Sequence, residues 1–237
     1  AYFDQLGGST EDLAHIAVKN HENALENEHA QLHREIEVED HQEAPQLASP
    51  LGLYDSCPIT DGAAAIVLAS EDYAAENGLD DTVAVTGTGQ GGDRLALQDR
   101  EDITETPAAA NAADEAYDDA GIGPDDVDFA EVHDCFTIAE VLAAEALGLF
   151  EKGEGISKAR EGVTTRDGEM PINVSGGLKA KGHPVGATGA SQIAQITMLL
   201  RGDHGRSDAV DGASTAVAHN AGGTAASTTV HVLEVSD

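Results

Sequence analysis

Positively charged residues are scarce in this 237-residue sequence. It contains 12 Lys and Arg residues against 44 Asp and Glu residues, which gives a formal net charge of −32. Proteins that bind nucleic acids or anionic membrane surfaces use clusters of basic side chains to contact phosphate groups. The composition therefore predicts that the protein has no nucleic-acid partner and no membrane partner.

Cysteine and long apolar stretches are also rare. No apolar run approaches the roughly 18 residues that indicate a membrane span. The only cysteines are Cys57 and Cys135, which are too few for a disulfide framework or a zinc cluster and are typical of a reducing cytoplasm. We therefore expect a cytoplasmic protein that holds no metal.

Acidic residues are the main excess of the sequence. They are dispersed between apolar segments, while hydrophobic residues make up 41% of the chain and aromatic residues 3%. High net charge with low hydrophobicity is typical of disorder, but the dispersed pattern is typical of a protein adapted to multimolar salt, in which self-repulsion is screened. We interpret the protein as halophilic and assign most Asp and Glu side chains to its solvated surface.

The pattern from residue 81 onward predicts an α/β fold. Alternation of strands and helices indicates a mostly parallel sheet covered by helices, and the last two strands indicate an antiparallel hairpin at one side. The result is a mixed five-stranded sheet in the order β-α-β-α-β-α-β-β. Its strands are predicted over 82–88, 127–132, 171–174, 215–219 and 227–233, and its helices over 107–120, 137–148 and 185–200.

Two further elements are predicted before residue 81. A helix begins at Ser9 or Thr10, because a capping residue precedes an apolar face formed by Leu13, Ile16, Ala17 and Asn20. The continuous apolar run over 61–70 predicts a buried strand.

One glycine motif suggests a nucleotide site that its context does not support. Residues 87–92 read G-x-G-x-x-G directly after a predicted strand. In a dinucleotide fold the third glycine opens a helix whose N-terminus holds the pyrophosphate. The next predicted helix begins only after Thr106, so a nicotinamide or flavin oxidoreductase is a minor alternative that rests on this motif alone.

A glycine-rich loop over 175–189 is the strongest candidate for a catalytic segment. It joins a predicted strand to an apolar helix, and it brings backbone N–H groups and a helix N-terminus close to a common point. Pro184 favours an extended backbone at His183, which can direct the imidazole into a cleft. We therefore take His183 as a candidate catalytic residue, in preference to a structural histidine.

Two other loops carry groups of chemical interest. His133 and Cys135 follow a predicted strand and precede a helix, where open α/β sheets carry their sites. A helix N-terminus lowers the pKa of a thiol, although a buried structural cysteine is the plain alternative. The second loop, over 219–224, contains Asn220 and Gly222 and is otherwise an ordinary hairpin turn.

Four segments, in this order, resemble the thiolase family, and most closely its sterol-carrier-protein-type and archaeal branch. The segments are CPITDGAAA at 57–65, HDCF at 133–136, NVSGG through GHPVGATG at 173–189, and HNAG at 219–222. The resemblance implies three regions: part of the thiolase loop domain (1–56), the end of the N-terminal half (57–80), and the C-terminal thiolase domain (81–237). The nucleophilic cysteine of the family belongs to a segment that this chain lacks. The start at Ala1, without Met, favours a fragment over a natural subunit.

The resemblance also implies roles for individual residues. His183 would activate the missing nucleophile and contribute to the oxyanion hole for the thioester oxygen. His133 would replace the asparagine that helps to hold the water of that hole. Cys135 would be the acid/base thiol, because Asn220 stands where other thiolases carry their second cysteine. The N–H group of Gly222 would serve the second oxyanion hole, and Cys57 and Gly177 would contact coenzyme A.

The function implied is that of an acyl-CoA acyltransferase, an acetyl-CoA C-acetyltransferase that condenses acyl-CoA or cleaves 3-ketoacyl-CoA. Coenzyme A thioesters would be substrates, and no cofactor would be bound covalently. The alternative is a non-catalytic acyl-CoA-binding or scaffolding subunit. Expected partners are further copies of the chain or an N-terminal thiolase portion, with an OB-fold/zinc-ribbon protein and a hydroxymethylglutaryl-CoA synthase as further candidates.

Overall fold

A mixed sheet with helices on both faces organises the chain from residue 82 onward in the computed structural model, which describes residues 1–79 and 82–236. The helices are α1 Tyr2–Leu6, α2 Thr10–Ala24, α3 Val38–Glu43, α4 Glu71–Glu76, α5 Pro107–Ala120, α6 Thr137–Ala146, α7 Gly155–Arg160 and α8 Thr188–Leu200. The strands are β1 Gln46–Ala48, β2 Leu51–Gly52, β3 Val83–Gly92, β4 Phe129–Glu131, β5 Thr215–Gly222 and β6 Ser227–Val235.

The larger sheet has the strand order β3-β6-β5-β4. β6 pairs antiparallel with both β3 and β5, while β4 pairs parallel with β5. The predicted α/β class and the antiparallel hairpin of the last two strands are therefore confirmed. Val217 and Val232 lie opposite each other on the face that packs against α5 and α6, whereas Ala216 and Leu233 lie on the face that packs against α8.

Three glycines of the 87–92 segment lie inside β3 and allow α5 to approach the sheet closely: Gly87 and Gly89 of the G-x-G-x-x-G motif, and Gly91 at one of its variable positions. A Cβ atom on Gly87, Gly89 or Gly91 would lie only 2.0, 1.9 or 1.8 Å from a carbonyl oxygen of α5. These residues are therefore packing glycines of a strand, and no helix begins at the end of the motif. Helix α5 has Pro107 in its first turn and ends at Gly121 with φ 75°, as the sequence predicts.

Helix α2 anchors the first 56 residues to the α/β unit. It begins at Thr10 after the N-cap Ser9, and its predicted face of Leu13, Ile16, Ala17 and Asn20 is at most 1% exposed. Leu13 and Ile16 form an apolar cluster with Val141 of α6 and Ile156 of α7. One edge of this helix therefore lies against the element that follows the HDCF segment.

The predicted five-stranded sheet is wrong by one strand, because residues 171–174 make only a single parallel bridge between Ile172 and Ala130. Asn173 has φ 59°, which ends the extended conformation. The outer carbonyl oxygens of the segment accept hydrogen bonds from α2 and the residues after it instead of from a strand. Lys19 donates to Ile172 O at 2.7 Å, Asn23 to Asn173 O at 3.1 Å and Asn27 to Ser175 O at 2.8 Å.

The predicted buried strand over 61–70 is also wrong. In the described part of the chain this segment joins no sheet, and Val67 and Leu68 are 97% and 73% exposed. An extended segment needs a neighbouring strand to pair its backbone groups, and no described strand lies beside it. Among residues 1–79 and 82–236, no helix is both long and apolar enough to cross a membrane.

Candidate active site

His183 lies within the glycine-rich loop, between a single π-helical turn over Gly177–Lys181 and α8. Its Nδ1 atom is 2.7 Å from Thr188 Oγ1, and the Thr188 hydroxyl donates to Pro184 O at 3.1 Å. With the Thr188 hydroxyl proton assigned to Pro184 O, Nδ1–H is the donor to Thr188 and Nε2 carries the free lone pair. Burial, and then the charge of Lys181, lowers the pKa of His183. The imidazole is therefore suited to accept a proton at Nε2.

His133 packs against His183. The two ring centroids are 4.9 Å apart with the rings nearly perpendicular, at 87°. Asn220 places its Nδ2 atom 3.3 Å from His133 Nδ1 and donates to Gln192 Oε1 at 3.0 Å. Burial, followed by the neighbouring His219 and His183, lowers the pKa of His133 to about 3. His133 is thus a neutral hydrogen-bonding group.

The segment at 57–60 completes one wall of this site. The backbone N–H of Cys57 donates to Cys135 O at 3.0 Å, and the N–H of His183 donates to Thr60 Oγ1 at 3.0 Å. Cys57 and Cys135 are both free and half-buried. The structure therefore brings the 57–65, 133–136 and 173–189 segments together at one place.

The expected lowering of the Cys135 pKa by a helix N-terminus is wrong. Cys135 lies before the N-cap residue Phe136 of α6, and burial, followed by the charges of Asp134 and Cys57, raises its pKa to about 12. Burial and Asp134 also raise the pKa of Cys57, and Lys179 opposes the shift. Desolvation of a thiolate beside a carboxylate outweighs the helix dipole here. Cys135 rests as a neutral thiol.

The two predicted glycines occupy different environments. Gly222 is exposed at the end of β5, opposite Ser227 in the hairpin and two residues beyond Asn220. Gly177 is buried with φ 56°, and a Cβ atom there would lie 2.4 Å from Asp134 Oδ2. Close packing on a carboxylate accounts for Gly177, and its contact with coenzyme A stays a prediction.

A buried polar network beneath the site was missed by sequence reasoning. Glu140 accepts from Lys19, from Asn20 and from Asn173, with the Asn173 Nδ2 atom at 2.7 Å. Asn173 Oδ1 in turn accepts from the N–H of Val132 at 2.8 Å. The available signal was Asn20, a polar residue on the apolar face of an amphipathic helix, because a buried amide needs partners.

Within residues 1–79 and 82–236, no three His, Cys, Asp or Glu side chains are grouped as a metal ion requires. A Cβ atom added to Gly189, at the start of α8, would make an ordinary van der Waals contact with Asn220.

Comparison with known proteins identifies the family. The profile described as Thiolase C-terminal domain-like matches residues 89–235, which is more than half of the chain. The chain belongs to the thiolase family. This thiolase chain is 45% identical to an acetyl-CoA acetyltransferase of Methanothermobacter thermautotrophicus, over 97% of its own length and 59% of that protein. It is 35% identical to human sterol carrier protein 2, over 93% of its length and 41% of that protein.

Solved thiolase-like structures agree with the fold. The Ltp2-ChsH2(DUF35) aldolase superimposes with a TM-score of 0.87 at 24% identity, over 99% of this chain and 60% of that one. The Bacillus anthracis acetyl-CoA acetyltransferase gives a TM-score of 0.70 at 19% identity, over 99% and 58%. The thiolase chain spans less than two thirds of the length of the curated relatives and structures named here.

Proposed function

We propose that this chain is the C-terminal catalytic portion of an acyl-CoA acyltransferase, an acetyl-CoA C-acetyltransferase that makes or cleaves 3-ketoacyl-CoA. The observation that carries the proposal is the contact between His133 and His183, at 4.9 Å between ring centroids, with Cys135 two residues after His133 in the chain. Two imidazoles from distant segments meet beside the 57–60 wall, and the backbone of Cys135 is bonded to that wall through the N–H of Cys57. A purely structural domain does not require that convergence.

His183 would act first. A thiol nucleophile supplied from outside the described residues would lose its proton to Nε2 of His183, whose Nδ1–H is held by Thr188. The lowered pKa of His183 keeps its imidazole neutral, and therefore able to take that proton, at neutral pH. The thiolate would then attack the thioester carbonyl of one acyl-CoA, the bond from that carbonyl to the coenzyme A sulfur would break, and the departing coenzyme A would take the proton from Nε2 as the acyl-enzyme forms.

Cys135 would act second, at the α-carbon of the second acyl-CoA, the one that is not attached to the nucleophile. Its raised pKa of about 12 keeps it protonated, so it is a ready proton donor to the enolate that thiolysis releases. In the condensation direction the same group would remove that proton as a strong but rarely populated thiolate. The N–H of Gly222 and the His133–Asn220 pair are the donors we assign to the developing oxyanions.

The N-terminal thiolase portion that would supply the nucleophile also accounts for the exposed 61–70 segment. Val67 and Leu68 expose large apolar side chains, and an additional strand beside them would pair the free backbone groups of the segment. We propose that this segment contacts that portion. Oligomerisation, a cytoplasmic location and binding of an OB-fold/zinc-ribbon protein or a hydroxymethylglutaryl-CoA synthase remain predictions.

The test compares the chain alone with the chain plus a complementary polypeptide. We expect no cleavage of acetoacetyl-CoA by the purified 237-residue chain in concentrated KCl. We expect activity when a polypeptide corresponding to the first part of the Methanothermobacter relative is added, and we expect His183→Ala to abolish it. Turnover by the chain alone would place the nucleophile within these residues. Binding of acetyl-CoA without turnover in either mixture would favour the non-catalytic scaffolding alternative.

A further inference from the structure

Asp134 lies between two proposed site residues, yet the proposed chemistry makes no use of it. Its side chain is fully buried. Its Oδ1 atom accepts from the N–H of Leu178 at 2.6 Å, and its Oδ2 atom accepts from the N–H of Lys179 at 3.3 Å and from Asn20 Nδ2 at 2.7 Å. One carboxylate therefore joins the HDCF loop to α2 and to the turn over Gly177–Lys181.

The shape of that turn depends on the carboxylate. Gly177 approaches Asp134 so closely that a side chain there would overlap with Oδ2, at 2.4 Å from the added Cβ. Leu178 is buried, and Lys179 is only 2% exposed. The turn leads through Gly182, with φ 116°, directly into His183. Asp134, the residue before Cys135, thus holds the backbone turn that leads into His183.

The charge of Asp134 acts on the same site. It is the largest electrostatic contribution, after burial, to the raised pKa values of both Cys135 and Cys57. Four other charged groups influence this carboxylate or the turn beside it: Glu140 of α6, Lys19 of α2, and Lys179 and Lys181 of the turn. Burial and the Glu140 charge raise the pKa of Asp134 itself, while the hydrogen bonds from Leu178 and Lys179 and the charge of Lys19 oppose that shift.

We propose that Asp134 is a positioning residue that holds the His183 loop against the HDCF loop and places a negative charge next to Cys135. The proposal rests on the proposed function for its catalytic meaning. Its two physical parts, a hydrogen-bonded clamp and a local negative charge, exist without any substrate. Both are therefore tested in the 237-residue chain in concentrated KCl, without coenzyme A and without turnover.

The first test is the variant Asp134→Asn. Its amide keeps one acceptor for Leu178 but directs an N–H group at Lys179 and Asn20, which are themselves donors. We expect faster amide exchange at Leu178 and Lys179 by NMR. We also expect the pH midpoint of Cys135 alkylation by iodoacetamide, followed by peptide mass spectrometry, to fall by about one unit, which is about tenfold in rate at a fixed pH below the midpoint.

The pH profile separates the charge from simple loosening. A loosened structure would raise the alkylation rate by the same factor at every pH, including the plateau, whereas loss of the charge moves the midpoint. The variant Asp134→Glu keeps the charge but displaces the oxygens, so it should leave the midpoint in place and still accelerate exchange at Leu178. Asp125→Asn, at an exposed carboxylate, is the matched control for net charge and should change neither measurement.

A measurement on the unaltered chain covers the case in which Asp134→Asn does not fold. Because burial, and then the charge of Glu140, raises the pKa of Asp134, we expect the carboxyl to take up a proton as the pH falls from about 8 to about 5 and its clamp to weaken. The protection of the Leu178 amide, corrected for intrinsic exchange, should then fall relative to the Ala113 amide inside α5. A constant ratio would overturn the clamp. An unchanged alkylation midpoint in folded Asp134→Asn would overturn the electrostatic role.

Discussion

Substitution of Gly89 by alanine should destabilise the sheet strongly, although it adds only one methyl group. The added Cβ would lie 1.9 Å from Ala112 O and 2.8 Å from Ala116 N, both in the backbone of α5. Ordinary contact for such an atom begins at 3.4 Å, so the helix must retreat by about 1.5 Å from the strand. No side-chain rotation can relieve the overlap, because the contacting atoms belong to the helix backbone.

The size of the loss in stability follows from the packing that is disrupted when α5 moves away from the sheet. Helix α5 covers this face of the sheet with alanines that are at most 1% exposed, among them Ala109, Ala112 and Ala116. Overpacking of a core costs about 1–3 kcal/mol, and a rigid backbone contact belongs at the upper end. We expect the free energy of unfolding to fall by about 3 kcal/mol, which for an m-value of about 3 kcal/mol/M is a urea midpoint lower by about 1 M.

The assay is urea unfolding followed by circular dichroism in concentrated KCl. Gly92→Ala is the matched control, because Gly92 is in the same strand and nothing lies within 4 Å of its added Cβ. That variant should change stability by no more than about 1 kcal/mol, with a small gain from the stiffer unfolded chain. Equal midpoints for the two variants would refute the interpretation of the motif as packing glycines.

Three further predictions follow from charge and from the proposed chemistry. With a net charge of −32, the chain should lose helical circular dichroism in about 0.01 M salt, where the Debye length is ~30 Å; equal spectra in low and multimolar salt would contradict halophilic folding. In the complemented enzyme, Cys135→Ala should slow condensation about 100- to 10,000-fold while the nucleophile is still acylated. Cys57→Ala should mainly weaken coenzyme A binding. The reverse pattern would mean that the roles of the two thiols are assigned the wrong way round. Burial lowers the pKa values of His133 and His219 to about 3 and about 4. Below about pH 6.5 the unfolded state therefore binds more protons than the folded state. Each histidine should then lower the free energy of unfolding by up to about 1.4 kcal/mol per pH unit, down to about pH 4. A urea midpoint that does not change between about pH 7.5 and about pH 5 would argue against neutral buried imidazoles.

Helices with local signals were predictable from the sequence. Ser9 and Thr10 mark the start of α2, and Pro107 and Gly121 bracket α5, because caps and turns depend on neighbouring residues only. The prediction of a buried strand over 61–70 was wrong because a strand also requires a partner strand, and the periodicity of a segment carries no information about its partner.

The site was predictable as a set of segments but not as a geometry. His133 and His183 were selected by their local surroundings, and the structure brings them into contact. The roles of Asp134 and Glu140 depend on contacts with residues more than 40 positions away, and the raised pKa of Cys135 depends on burial. No local pattern encodes such long-range contacts, so these features required the fold.

The three donors at Lys19, Asn23 and Asn27 constrain the length of the chain. They recur every four residues and meet the carbonyl oxygens of Ile172, Asn173 and Ser175 in the same order. Deleting one residue between Asn23 and Asn27, or inserting one between Ile172 and Ser175, would shift the donors past their acceptors and leave buried carbonyl groups unpaired. Evolution can exchange side chains at this junction one at a time, but it cannot readily change the spacing of either segment without a compensating change in the other.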